Sequence, residues 1–168
     1  MQDEFNDPLW RQIISGAQML FVAFGALVLM PLITGLAMRR IHTRFSVRRV
    51  LLASFLLAAI RWLLLGSFAE FFWVLLLAQV MHAATFGSFH AAAIAFVQRS
   101  FGDRQQGQGQ ALYAALAGTG GALGALYAGY SWNLLGPTLT FSIASVAALA
   151  AAIIIGLRLQ EPNKGTEQ

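Results

Sequence analysis

Arg61 is the residue whose type and setting point most directly to chemistry. It lies inside an otherwise apolar run between Arg49 and Glu70, roughly 16 Å into a helix beginning near Val50, at ~1.5 Å per residue. A guanidinium at that depth of a bilayer costs at least about 2.5–3.5 kcal/mol, so it faces a bundle interior or a wet cavity. There it can hold a carboxylate bidentately, with Trp62 beside it as an aromatic wall. Two other readings stay open. The side chain can snorkel toward an interface, or pair with Glu70, which shares its helical face but stands ~13 Å further along the axis.

His82 and His90 add a second kind of chemistry. Histidine changes charge near neutral pH and can carry a coupling proton. At ~100° per residue the two lie about 80° apart, on one broad face of a helix. Gln79, Thr85 and Ser88 add polar groups to the same segment. The set reads either as a polar stripe lining a cavity or as hydrogen-bond links between helices. Arg61 and His82 flank a short turn at Glu70 at similar distances, which puts them at similar depth. No third ligand lies within reach of the histidine pair, so no metal is expected, nor any other cofactor.

The elements that must position these groups are membrane helices. Of the 168 residues, 58% are hydrophobic and only 11% are charged, against roughly 25% charged in an average soluble domain. Three runs carry no Asp, Glu, Lys or Arg: Gln12–Met38, Phe71–Gln98 and Gln105–Leu157. Each exceeds the ~20 residues that span a hydrocarbon core, and the last is long enough to cross twice. Its expected break is Ser131–Pro137, where Asn133, Gly136 and Pro137 carry turn chemistry. The expectation is an all-α bundle of about five spans, near residues 13–37, 50–69, 71–97, 108–130 and 138–157.

The chain divides into an N-terminal tail with the first span (1–37), a four-helix portion (38–158) and a tail (159–168). Arg39, Arg40, Arg44, Arg48 and Arg49 crowd one loop, Arg99 and Arg104 a second, and Arg158 and Lys164 the C-terminal tail. The positive-inside rule puts these loops and the C-terminus in the cytoplasm and the N-terminus outside. The net charge of +4 therefore reflects membrane topology, and no nucleic-acid partner is expected. Contact with anionic lipid is worth about 1 kcal/mol per basic residue. Glycines 118, 120, 121, 124 and 129 place Ala117/Gly121 and Gly120/Gly124 at small-xxx-small spacing, which predicts close approach of another helix. No strand precedes them and no lysine follows at Walker spacing, so a phosphate loop is excluded. The absence of cysteine removes disulfides and thiolate metal sites.

From about Arg39 onward, "SVRRVLLASFLLAAIRW", "QVMHAATFGSFHAAA" and "GQGQALYAALAGTGGALGALYAGYSWNLLGP" resemble the C-terminal helices of a major facilitator superfamily transporter, in its phenylpropionate-permease-like branch. The resemblance implies proton-coupled uptake of a small organic, aromatic acid across a bacterial-type inner membrane. It also implies Arg61, Trp62, Gln79, His82 and His90 as substrate-site residues, and the arginine loop as a conformational latch; plain topology is the other reading of that loop. Residues 1–36, with "LWRQIISGAQMLFVAFGALVLMPLITGL", resemble instead the first helix of a uracil/xanthine permease, a nucleobase:cation symporter. Together the two read as a fusion with its junction near Leu36–Arg39.

No Ser/His/Asp arrangement or paired carboxylate is visible, so no enzyme is expected. The function expected is that of a partial secondary-active transporter, completed by self-association or by a missing N-terminal bundle. The alternative is an inactive fusion or truncation remnant, or an integral membrane protein that transports nothing.

Overall fold

The computed structural model describes residues 45–159. The expected first span, Arg39, Arg40 and Arg44 of the basic loop, and the tail from residue 160 lie outside the described residues.

Helix α1 runs Val47–Phe68. Its start is written locally: Ser46 takes an extended backbone, and its hydroxyl accepts the Arg49 amide at 3.4 Å, satisfying one of the amides a helix leaves bare at its first turn. A three-residue turn follows, in which the Phe71 amide bonds the Phe68 carbonyl at 3.1 Å. Helix α2 runs Phe72–Ser100. A 3-10 turn at Asp103–Gln105 then leads into helix α3, Gln106–Arg158.

These three helices are each long and apolar enough to cross a membrane, with mean hydropathy of 2.0, 1.4 and 2.3. Five separate helices are therefore not supported, although the described chain is all-helical between its turns. The expected break between the last two spans is present in a different form. Only Gly136 leaves the helical region, at φ 77 and ψ 170, a backbone conformation essentially reserved for glycine. Pro137 follows; it has no amide to donate and crowds the residue before it out of helical geometry. Residues 131–135 stay helical, and two of their side chains bond back to carbonyls one turn earlier. Ser131 Oγ donates to the Tyr127 carbonyl at 2.7 Å, and Asn133 Nδ2 to that of Gly129 at 3.5 Å. At Gly136 the chain doubles back. Tyr127 Oη donates to the Thr140 carbonyl at 2.9 Å, whereas thirteen residues of straight helix would hold them about 20 Å apart. Helix α3 thus has two limbs, 106–135 and 137–158.

Helix α1 sits between α2 and the second limb of α3. At its N-terminal end Val47, Val50 and Leu51 pack with Ala92 of α2, and Ile155 and Leu159 close the cluster. The Arg48 guanidinium donates to the Gly156 carbonyl, so the start of α1 and the end of α3 share one end of the bundle. In the middle, Ser145 Oγ donates to the buried Ala59 carbonyl at 3.0 Å. At the far end Gly66 lets the second limb approach: a Cβ there would stand 3.1 Å from Phe141 Cβ and 3.2 Å from the Thr138 carbonyl oxygen. Leu56, Ile60, Leu63, Trp73, Leu77, Leu134 and Ile153 are exposed on the outside, an apolar surface suited to lipid and unlike that of a soluble monomer.

The glycine spacing of α3 is not used as expected among the described residues. A Cβ added at Gly118, Gly120, Gly121, Gly124 or Gly129 would meet nothing within 4 Å. The first limb touches the rest of the bundle elsewhere, through Gly109 against Phe101 and Val97 and through Tyr113. Spacing makes a smooth face, but only the rotation of the helix about its axis decides where that face points.

Candidate functional site

Arg61 projects from the middle of α1 into the bundle and is only 8% exposed. Its guanidinium carbon lies 3.8 Å from the centroid of the Trp62 ring. Trp62 stacks on Phe141 with centroids 5.5 Å apart, and Phe141 meets Trp132 edge-on at 5.8 Å. The second limb of α3 thereby fixes the aromatic plate on which the cation rests, a contact worth from about 0.5 to 2 kcal/mol depending on desolvation. Arg61 Nε is buried without any hydrogen-bond partner. Glu70 is exposed at the turn between α1 and α2 and does not partner Arg61.

His82 comes to the same place from α2. Arg61 and His82 line one cavity of about 160 Å³, with Ser54, Ala58, Thr85 and Phe86 also in its wall. Small residues allow α2 to lie this close: Ala83, Ala91 and Ala92 are at most 3% exposed, and Gly87 is buried among them. The Thr85 hydroxyl donates back to the Met81 and His82 carbonyls at 2.8 and 3.1 Å, so its proton is already committed.

His90 is not in that cavity. Phe86 stacks on the His90 ring at 4.7 Å and tilts against His82 at 5.7 Å, standing between the two histidines. Beyond it, His90 Nδ1 and the Tyr113 hydroxyl share a hydrogen bond of 2.9 Å, which ties α2 to the first limb of α3. Gln79 is half-buried one turn before His82 and does not line the Arg61 cavity. Of the basic loop, Arg48 grips Gly156 and Arg49 is exposed one residue on.

Ser54 went unnoticed in the sequence reading. It lies seven residues before Arg61, two helical turns, and so on the same face; it is 6% exposed. A serine two turns from an intramembrane arginine is the signal that would have found it. No group of three His, Cys, Asp or Glu side chains able to hold a metal occurs among the described residues. The arrangement offers a desolvated cation with spare donor capacity, an aromatic plate and a neighbouring imidazole. It can attract and orient an anion.

Comparison with known proteins supports a transporter at the level of family. No curated protein and no solved structure matches the chain. A family model described as the MFS_1 like family matches residues 14–143, a range that includes Leu36–Arg39, where the two sequence resemblances meet. An all-helical apolar bundle with a buried arginine, matched over most of its length, is a membrane protein of transporter type: the chain belongs to the MFS_1 like family of the major facilitator superfamily.

Proposed function

We propose that this chain forms part of a secondary-active transporter for a small organic acid, with Arg61 as the carboxylate anchor. The observation that carries the reading is Arg61 itself, buried with an unpartnered Nε above a cavity it shares with His82. A buried cation without a counter-charge is costly, and an incoming carboxylate removes that cost while forming charge-assisted hydrogen bonds. Phe55, Phe86 and Phe89 in the cavity wall suit a substrate with an aromatic body, as in the phenylpropionate-permease-like branch. In this reading His82, in the same cavity wall, takes the coupling proton beside the bound acid. Gln79 and His90 stand outside the Arg61 cavity and have no direct contact with the acid in this reading.

The end of the bundle carrying Arg48, Arg49, Arg99, Arg104 and Arg158 faces the cytoplasm by the positive-inside rule, in a bacterial-type inner membrane, with the N-terminus outside. Alternating access requires a second bundle facing this one. A complementary N-terminal bundle or a second copy of this chain supplies it.

The test is binding of 4-fluorobenzoate to the chain in nanodiscs, followed by fluorine NMR. Arg61→Lys keeps the charge and loses the bidentate fork. Binding should weaken at least tenfold in Arg61→Lys and vanish in Arg61→Ala. Undiminished binding in Arg61→Ala ends the anchor reading.

A further inference from the structure

We infer that the α1–α2 seam holds a second carboxylate station, at Arg49, to which an acid bound at Arg61 passes on its way to the basic end of the bundle. The inference rests on Arg61 as the first station. A second cavity, of about 270 Å³, runs along the seam between Arg49 and the Arg61 site, with Phe45, Ala53 and Leu57 in its wall. It shares Ser54 and Thr85 with the Arg61 cavity. The two spaces therefore adjoin through one pair of hydroxyl side chains, and an arginine lines each of them.

The chemistry along this path selects its ligand. Among the described residues neither wall carries an acidic side chain, so none of them repels an anion. The walls are otherwise mostly apolar, which suits the body of an amphipathic acid. Each cavity is smaller than the roughly 300–1,000 Å³ that houses a drug-sized ligand, so the ligand is a single-ring or short-chain monocarboxylate. The hydroxyls at the junction have different roles. Thr85 spends its proton on its own helix. Ser54 faces both cavities and makes no hydrogen bond among the described residues, so its proton is available to a carboxylate in transit. From Arg49 to Arg61 is about 18 Å along the helix axis, and Ser54 divides that distance.

Burial sets the direction. Arg61 is 8% exposed and attracts an anion in a low-dielectric setting. Arg49 is exposed at the mouth, where water weakens the same attraction severalfold. A tight inner station and a loose outer one make a route for release toward the basic end.

The experiment uses the full chain, which has no cysteine of its own, in nanodiscs of zwitterionic lipid. Ala53→Cys reports the outer cavity alone and Ala58→Cys the inner one alone. The rate of alkylation by N-ethylmaleimide is followed while 4-fluorobenzoate is titrated. Both cysteines should be protected, Ala58→Cys at a concentration at least tenfold lower. Adding Arg49→Gln should abolish protection at Ala53→Cys and move that at Ala58→Cys by less than about twofold; Arg49→Lys should restore the outer protection. Adding Arg61→Gln should do the converse. If Ala53→Cys is never protected, or is protected in step with Ala58→Cys and only while Arg61 is present, there is one station and the inference falls, with the Arg61 anchor left standing. Protection at Ala53→Cys without any at Ala58→Cys overturns the anchor instead. Protection of Ala53→Cys by added anionic lipid alone, lost in Arg49→Gln, assigns the outer cavity to a lipid headgroup and overturns the inference.

Discussion

Replacing Gly66 by leucine tests both the packing of the bundle and the support of the candidate site. A Cβ at this position would lie 3.1 Å from Phe141 Cβ and 3.2 Å from the Thr138 carbonyl oxygen, against an optimum of about 3.5–4.0 Å between carbons. One obstacle is backbone and cannot rotate away. Leucine adds three further carbons in the same direction. Overpacking of this kind costs typically about 1–3 kcal/mol. Leucine is the better helix former and returns about 0.8 kcal/mol, so the net loss should be about 0.2–2 kcal/mol, up to a ~30-fold shift in the folded ratio. Gly121→Leu is the control, because a Cβ there meets nothing within 4 Å; it keeps the gain in helix propensity and suffers no clash. The assay is unfolding by SDS titration in mixed micelles, read by helical circular dichroism. Phe141 also holds Trp62, so Gly66→Leu should weaken 4-fluorobenzoate binding as well. Equal stability of Gly66→Leu and wild type, or equal destabilisation by Gly121→Leu, refutes the packing.

Three further outcomes are expected. Ser145→Ala removes the buried bond to the Ala59 carbonyl and should cost about 0.6 kcal/mol, the average for hydrogen bonds between membrane helices; Ser142→Ala, whose hydroxyl returns to Thr138 on its own helix, should be near neutral in the same titration. Gly136→Ala forces a side chain onto a φ of 77 and should cost on the order of 1–3 kcal/mol, with an unchanged midpoint counting against the fold-back of α3. For topology, Gly102→Cys, in the loop between α2 and α3 that carries Arg104 and follows Arg99, should react with an impermeant thiol reagent in inverted vesicles only, and Glu70→Cys in intact cells only; the opposite pattern reverses the assigned orientation.

Sequence alone determined the features that bilayer thickness and local chemistry dictate. Apolar runs longer than a membrane is thick have to be helices, because their backbone polar groups must be satisfied within the segment. The short turn at Glu70 made α1 and α2 antiparallel neighbours, and similar spacing from it put Arg61 and His82 at similar depth. Ser131–Pro137 marked the region in which the last apolar run had to break, and the structure places that break at Gly136. Rotation about each helix axis was a different matter. In a soluble helix the apolar stripe marks the inside, but these helices are apolar nearly all round, so periodicity does not say which face is buried. That is why the smooth glycine face of α3 turned away from the described bundle while an isolated glycine, Gly66, made the close contact. It is also why His90 went to Tyr113 rather than to Arg61, with Phe86 between the histidines, and why Ser54 emerged as the link between two cavities. Depth follows from counting residues along a chain; azimuth is settled only when side chains from different helices compete for the same space.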